Sequence, residues 1–159
     1  MSRQYLWLIS MGCHCEAVKM SQILDTRKRQ RPNKQTLLGL EGSGARLVYQ
    51  AIQKMLPESW HFHGRNRRPP EDPVNALLSL GATCLYQLAI AALSGRGLDC
   101  HAGFYHVPCS GRASLACDLV EVVRPVLEAF VVKQIMTGVF APHDFSSSAT
   151  KGCRLTRKG

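Results

Sequence analysis

The chain has 159 residues, of which 45% are hydrophobic, so it is long enough for one domain with a real core and too short for two comfortable ones. Its 20 Lys and Arg against 11 Asp and Glu give a formal net charge of +9, which favours a polyanionic partner such as nucleic acid over a small neutral substrate. The seven cysteines are odd in number and form no CxxC pair, which is typical of reduced thiols in a cytoplasmic protein and excludes a disulfide framework.

Apolar residues between Leu6 and Leu24 recur at steps of three and four, which predicts a first amphipathic helix. A basic segment follows this helix, and it contains Arg27, Lys28, Arg29, Arg31 and Lys34. Pro32 and Asn33 break helical geometry there, so we expect a linker that either stays solvated or contacts phosphate. Residues 1–36 are therefore predicted to form an N-terminal helix and a basic linker.

A second helix is predicted from about Glu41 to Met55, because apolar residues in this range fall on one helix face. Glycines at positions 39, 42 and 44 surround Glu41. Since glycine has no side chain to collide, the backbone at this predicted helix start can pass close to another segment or to a ligand.

The stretch from Val74 to Gly95 contains no charge and is long enough to cross a bilayer, and it predicts a central helix. A polar residue recurs in it every four positions, at Asn75, Ser79, Thr83 and Gln87. Such a stripe favours the core helix of a soluble protein, with one face toward a polar cleft, over a membrane span. Asp72 as N-cap and Pro73 as first helical residue mark its start.

The remainder of the chain predicts a connection from Leu98 to Arg112 and then more helix. Gly103–Val107 is the one candidate for a short extended piece. A helical pattern runs from about Ser114 to Met136, and Pro125 either kinks it or begins a new helix. Because strand signals are otherwise weak, the predicted fold class is all-α.

Acidic residues are the main chemical signal, because the sequence contains no phosphate-binding glycine loop, nucleophile elbow or sustained zinc spacing. Glu41 lies among glycines, and Asp118 and Glu121 are three residues apart on one helix face. Two interpretations remain open from spacing alone: these acids bind a divalent cation, or they form surface ion pairs with Arg112 or Arg124. A mixed carboxylate and imidazole ligand set would favour Mn²⁺ or Mg²⁺ over structural zinc.

Several segments, in order from near Leu37 to Gly159, resemble the CRISPR-associated DNA integrases of the spacer-acquisition module, the Cas1 family. The segments are Gly39–Gly42 with Ala45–Arg46, Gly64–Ser79, Gly97–Asp99 leading to Gly103–His106, Gly111–Arg112 with Ser114–Leu115, Asp118–Glu121 with Arg124–Pro125, and Cys153–Gly159. They are similar to the family's G-x-E-G, G-F-x-H, D-L-x-E and R-L-T-x-x-G patterns, among others.

The resemblance implies a helical catalytic domain at residues 37–159. The 38 residues before Gly39 are too few for the β-rich domain that usually precedes it, and the similarity stops within the R-L-T-x-x-G segment. It also implies that Mn²⁺ or Mg²⁺ is held by Glu41, His106 and Glu121, with Asp118 as a supporting acid. The candidates for DNA contacts are Arg46, Arg65, Arg67, Arg68, Asn75 and Arg112.

The implied function is insertion of short DNA into a CRISPR repeat, in which a 3′-hydroxyl attacks a phosphodiester, or DNA cleavage when water attacks instead. The implied partners are double-stranded DNA and a Cas2 protein. A homodimer is expected if the missing β-rich domain is supplied, and the implied location is the prokaryotic cytoplasm without membrane association. The alternative is a non-catalytic nucleic-acid-binding remnant whose metal site is inherited.

Overall fold

A computed structural model describes residues 2–29, 33–66, 68–107 and 109–156. The described residues form five α-helices: α1 Ser2–Ser10, α2 His14–Arg29, α3 Lys34–Met55, α4 Pro73–Ser94 and α5 Ser114–Met136. They also form one antiparallel hairpin of β1 Phe145–Ser148 and β2 Gly152–Leu155, in which Phe145 pairs with Leu155. The all-α fold class is therefore confirmed, with a small hairpin that the sequence did not predict.

The chain divides into two compact units, Met1–Asn66 and Arg67–Gly159. The boundary that we predicted after residue 36 instead falls inside α3, which packs against α2 and α1 in the first unit. Helices α1 and α2 thus pack against α3 in one unit. A domain boundary after residue 36 would expose the helix faces that these contacts bury.

The first unit begins with two helices where one was predicted. Gly12 separates α1 from α2 by adopting a φ of 72°, a conformation that L side chains rarely take. The amide of Gly12 donates to the carbonyl of Ile9 and that of Cys13 donates to Leu8, so backbone groups freed at the break are paired. Periodicity alone did not reveal this break, because the apolar spacing continues across it.

Helix α3 begins well before Glu41, so the prediction of a helix start at that residue is wrong. The side chain of Asn33 caps the helix by accepting a hydrogen bond from the Thr36 amide at 2.8 Å. Gly39 and Gly42 therefore lie within the helix, and both are exposed.

The predicted helix end at Met55 is confirmed. Arg31 and Pro32, part of the predicted basic linker, lie outside the described residues.

Packing in the first unit joins α2 to α3 through buried apolar side chains and an ion pair. Met20, Val48 and Ile52 are fully buried. The Lys54 ammonium lies 2.5 Å from the Glu16 carboxylate, whose side chain is only 6% exposed. The hydrogen bond from Lys54 lowers the pKa of Glu16 despite the opposing effect of burial, so the pair ties the two helices together most strongly when Glu16 is ionised.

In the second unit, α4 begins as predicted, with the Asp72 carboxylate accepting a hydrogen bond from the Asn75 amide at 2.8 Å. By length and composition alone, α4 could cross a membrane, a test that core helices of soluble proteins also pass. Ser79 and Thr83 of its polar stripe line a groove of about 600 Å³ that Arg154 of β2 also borders. Most of the side chains that line this groove are apolar and Asn75 of the stripe is buried, so only part of the predicted polar stripe borders it.

Helix α5 runs unbroken through Pro125, so that residue does not begin a new helix. Apolar side chains of α4, of α5 and of the residue before α5 form a cluster of buried residues in the second unit, which comprises Ala89, Leu93, Ala113, Ala116 and Val120. The Tyr86 hydroxyl on α4 accepts a hydrogen bond from the Ala113 amide at 2.9 Å, which pairs a backbone donor at the start of α5. The position of α5 is thereby fixed against α4.

Candidate functional site

A tight turn at Gly103–Val107 precedes α5, and here the prediction of an extended piece is wrong. A side chain at residue 103 would place its Cβ 2.5 Å from the His106 carbonyl oxygen and 2.5 Å from the Cβ of Ser114. Only glycine therefore permits this approach of the turn to α5. The Gly103 amide also donates to the carbonyl of His101 at 2.8 Å, which closes the turn on its N-terminal side.

The carboxylate of Asp118, on the first turns of α5, holds this segment through its backbone. One oxygen, Oδ2, accepts hydrogen bonds from the amides of Phe104 at 2.7 Å and Tyr105 at 2.8 Å. The other oxygen, Oδ1, accepts from the His106 amide at 3.0 Å and contacts the His106 ring nitrogen Nδ1 at 2.6 Å. One side chain thus fixes three consecutive amides and one ring.

These hydrogen bonds determine the ionisation of Asp118. Burial, which leaves its side chain 12% exposed, would raise the pKa, but the hydrogen bonds from Tyr105, His106 and Phe104 outweigh burial and lower the pKa to about 2. Because an ionised carboxylate can only accept, His106 Nδ1 must donate the hydrogen of this contact. In the neutral ring, the lone pair then resides on Nε2, as in histidines that bind metals through Nε2.

Arg112 and Ser114 hold the far end of the turn at the carbonyl of Val107. The Arg112 guanidinium donates to this oxygen at 2.6 Å, and the Ser114 hydroxyl donates at 3.3 Å. The Arg112 Nε is buried and has no hydrogen-bond partner among the described residues. We predicted Arg112 as a DNA contact; in the structure, part of its guanidinium instead supports the turn that bears His106.

Glu121 lies three residues after Asp118 on α5, and its carboxylate forms an ion pair with the Arg124 guanidinium. The two side chains are 24% and 27% exposed respectively. The sequence left open whether the acids of α5 pair with Arg112 or with Arg124. The structure contains the ion pair between Glu121 and Arg124. Asp118 is instead engaged with the His106 turn.

The predicted ligands do not all belong to one unit. Glu41 lies in the first unit, on α3, where it is partly exposed, whereas His106 and Glu121 lie in the second. Across the described residues, no group of three or more His, Cys, Asp and Glu side chains is placed to hold a metal ion. The three-residue ligand set therefore stays a prediction from the family resemblance.

The predicted DNA contacts differ in accessibility. Arg46 and Arg68 are exposed, and Arg46 borders a groove between α2 and α3 that Lys19 also lines. The Arg65 guanidinium donates to the carbonyl of its neighbour Asn66, and Arg67 lies outside the described residues.

Asn75 does not fit the predicted role in DNA binding. Its side chain is 0% exposed, and its amide nitrogen donates to Asp72 Oδ2 at 2.6 Å. A DNA strand cannot reach a side chain that is buried and already paired, so Asn75 stabilises the start of α4 instead. The family resemblance suggested a contact, but Asn75 lies on the buried side of α4.

Residues 14–159 match the family described as CRISPR associated protein Cas1. The chain belongs to the Cas1 family. The match begins within α2, earlier than the similarity that we identified from near Leu37. Helix α2 is therefore part of the Cas1 region rather than an unrelated N-terminal addition.

Two curated relatives place this Cas1 chain within longer proteins. It is 41% identical over 140 residues to a Cas4 exonuclease/Cas1 endonuclease fusion of Geobacter sulfurreducens, covering 83% of the chain and 25% of the fusion. It is 37% identical over 117 residues to the Cas1 endonuclease of Mycobacterium tuberculosis, covering 73% of the chain and 35% of that protein. The chain thus spans about a quarter to a third of the length of these relatives.

Solved structures agree with this assignment. A chain of a Cas6-RT-Cas1–Cas2 complex superposes with a TM-score of 0.86 at 30% identity, covering 99% of this chain and 18% of that one. A casposase bound to its integration product superposes with a TM-score of 0.72 at 30% identity, covering 80% and 37% of the two chains. The fold of the described residues is therefore that of Cas1 and casposase proteins.

Proposed function

We propose that this chain is the DNA-processing part of a Cas1 endonuclease and integrase, and that it acts on phosphodiester bonds with a divalent cation. The observation that carries the proposal is the turn held by Asp118, which presents His106 beside the helix that bears Glu121. Family membership supports the same assignment, because the curated relatives are named as endonucleases.

The donor set suits Mn²⁺ or Mg²⁺ in chemical type. His106 offers Nε2 because its Nδ1 is bound to Asp118, and Glu121 offers a carboxylate once Arg124 releases it. Glu41 is assigned as the third ligand by family resemblance. When bound, the ion would polarise the scissile phosphate and favour ionisation of the attacking oxygen.

The residues of this chain then serve mainly to bind and orient DNA. In integration, a 3′-oxygen forms a new bond to phosphorus and the bond from phosphorus to the leaving 3′-oxygen breaks. The proton of the attacking hydroxyl passes to solvent, and the leaving oxygen takes up a proton from solvent. In cleavage, water is the attacking group. Asp118 keeps the His106 ring in one orientation, so this ring needs little reorganisation when the substrate arrives.

The proposed partners follow from the relatives and from the charge. Structures of Cas1–Cas2 complexes resemble this chain, so we propose a Cas2 protein as partner. The net charge of +9 supports double-stranded DNA as substrate. We propose a homodimer in the presence of the β-rich domain of longer family members, and a cytoplasmic location in a prokaryote.

Metal-dependent nicking of a CRISPR-repeat duplex by the purified chain tests the proposal. We expect cleavage in Mn²⁺ that chelator abolishes, and loss of cleavage in His106→Ala, Glu121→Gln and Glu41→Gln. His143→Ala, which changes an exposed histidine outside the proposed site, serves as the control and should cleave like the wild type. Retained cleavage in any two of the three ligand variants would refute the site assignment.

The alternative function, a nucleic-acid-binding module without catalysis, is favoured by the chain's basic charge. It predicts DNA binding that is equal in Mn²⁺ and in chelator, together with no nicking under either condition. The same preparation therefore distinguishes the two functions.

A further inference from the structure

The hairpin of β1 and β2 has an open edge on the side of β2. The Thr156 amide donates to the carbonyl of Asp144, the residue before β1, at 2.8 Å, whereas the Cys153 amide donates away from β1, to the carbonyl of Pro70 at 2.7 Å. Backbone groups alternate in this way along an antiparallel strand, so the N–H and C=O of Leu155 point away from β1, like those of Cys153. No strand of the described residues pairs with this edge at Leu155, so its backbone groups can pair with a further strand.

The position of β2 is set by close backbone contacts. Gly152, at the start of β2, has a φ of 68°. A Cβ at this residue would lie 2.5 Å from the carbonyl oxygen of Pro70 and 2.6 Å from the Cβ of Pro69. The strand can approach this segment so closely only because it has glycine at this position. A ligand at the open edge therefore meets a strand that is already in place, which lowers the entropic cost of binding.

The groove of about 600 Å³ beside α4 borders the same edge, because Cys153 and Leu155 of β2 line it. Leu77 and Leu80 of α4 line it as well, and Leu80 is 52% exposed. Backbone hydrogen-bonding groups beside an apolar groove match an extended peptide, whose main chain pairs with the edge and whose alternate side chains enter the groove. A DNA backbone offers only acceptors, so it cannot complete such pairing.

The charge of the hairpin restricts the other side chains of such a peptide. Arg154 is exposed at the border of the groove, and residues 145–159 contain four Lys and Arg but no Asp or Glu. Successive side chains of a strand point to opposite faces, so the side chains of an added strand that do not enter the groove lie on the same face as Arg154. Acidic residues at these alternate positions complement the basic hairpin.

We propose that the open edge of β2 and the groove beside it bind an extended peptide segment of a partner protein, in which apolar and acidic residues alternate. The segment adds to the hairpin as a third strand through the N–H and C=O of Leu155. Its apolar side chains pack against Leu80, and its acidic side chains lie beside Arg154. This surface is separate from the residues proposed for catalysis, so the inference does not depend on DNA cleavage.

Selection from a phage-displayed library of random short peptides, with the purified chain as bait, tests the proposal. We expect enriched sequences in which apolar and acidic residues alternate. In fluorescence anisotropy, a labelled peptide of the enriched sequence should bind Leu80→Glu about 10- to 100-fold more weakly than the wild type, because a carboxylate then faces apolar side chains of the peptide. Leu88→Glu makes the same change at a residue that is 65% exposed on α4 and does not line the groove, so it should bind like the wild type.

A smaller effect is expected from the charge at the edge. Arg154→Ala should weaken binding of the same peptide by about 2- to 5-fold, the usual contribution of an opposite-charge pair across strands. Lys133→Ala removes an exposed positive charge from α5 and is the control, which should leave the affinity unchanged.

Hydrogen exchange measures the strand addition itself, on the wild-type chain. The Leu155 amide should exchange more slowly when the selected peptide is bound, because it then donates a hydrogen bond to the peptide. The Ser147 amide points outward from the opposite edge of the hairpin, since Ser147 pairs with Cys153. Its exchange rate should be the same with and without the peptide.

Each contrary outcome overturns the proposal. Selected peptides without the alternation, or with equal affinity for Leu80→Glu and the wild type, would place the ligand elsewhere. Binding that depends on Leu80 but leaves exchange of the Leu155 amide unchanged would refute the added strand. Failure to enrich any peptide would refute a peptide ligand, and single-stranded DNA binding that Leu80→Glu weakens more than Leu88→Glu would then assign the groove to DNA.

Discussion

The two units of this chain contain equal numbers of basic residues but use their acidic residues differently. Residues 1–66 have ten Lys and Arg against four Asp and Glu, and residues 67–159 have ten against seven. In the first unit, buried Glu16 joins two regular helices through Lys54. In the second, Asp118 binds the amides of an irregular turn. We therefore expect catalysis in the second unit, where Asp118 fixes the turn. We expect the first unit, with its larger excess of basic residues, to contribute to DNA binding.

Glycine shows the same contrast. In the first unit, no heavy atom lies within 4 Å of the Cβ position that would be added at Gly42, on an exposed face of α3. In the second, the same addition at Gly103 would meet backbone and side chain at 2.5 Å. Steric hindrance thus requires glycine at position 103, in the turn that bears His106. At position 42 of α3 there is room for a side chain.

The largest expected effect concerns Asp118. Asp118→Asn removes the charge and one of the acceptors that hold the turn, so we expect about 10- to 100-fold lower Mn²⁺ affinity or cleavage activity, because groups that orient a metal ligand typically contribute this much. Hydrogen exchange of the Phe104, Tyr105 and His106 amides should become faster in the same variant, whether or not metal is present.

Asp99→Asn is the matched control for this prediction. Asp99 accepts a hydrogen bond from the His101 amide at 2.8 Å, in the same connection between α4 and α5. Its replacement should leave cleavage and exchange at residues 104–106 unchanged. If Asp118→Asn is fully inactive while Glu121→Gln keeps most activity, the wrong acid of the pair has been assigned to the metal.

The next effect compares the two glycines. Gly103→Ala should lower the free energy of unfolding by about 1–3 kcal/mol, because backbone must move to admit the methyl group. Gly42→Ala should raise it by about 0.5–1 kcal/mol, because alanine is the better helix former at an open position. Urea unfolding followed by far-ultraviolet circular dichroism measures both. Equal stability of the two variants would contradict the contrast between the units.

An acid titration tests the Glu16–Lys54 pair of the first unit. Because the folded pKa of Glu16 is lowered from about 4.5, the stabilisation is present above that pH and is lost as pH falls toward the lowered value. Both tryptophans, Trp7 and Trp60, lie in the first unit, so their fluorescence reports its unfolding. Glu16→Gln should remove this part of the acid sensitivity, and an unchanged pH profile would contradict the prediction.

The smallest effect concerns salt. Removing one side chain that binds a phosphate should reduce the slope of log affinity against log salt concentration by about 0.9. We expect this change for Arg46→Ala in the first unit and for Arg68→Ala in the second. Arg96→Ala, an exposed change of equal charge after the end of α4, is the control. A slope changed equally by all three variants would indicate an effect of net charge rather than of specific phosphate binding.

The sequence by itself determined the helical class, the start of α4 and the family. Asp72 with Pro73 predicted a helix start because capping and proline geometry depend on adjacent residues only. The motif from Gly103 to His106 and the acids of α5 indicated the family, because their order and spacing are visible in one dimension. Polar spacing also predicted which side chains share a face of α4, since helix periodicity decides this, and two of them, Ser79 and Thr83, border one groove.

Only the tertiary structure decided which of the predicted site residues are exposed to solvent and which are already bound to other residues. Asn75 is buried and Arg112 binds the carbonyl of Val107, although both stand among predicted DNA contacts. Asp118 binds amides more than ten positions away, and no local pattern encodes a partner at that distance. Solvent exposure and long-range hydrogen bonds arise from packing between elements, which spacing along the chain does not specify.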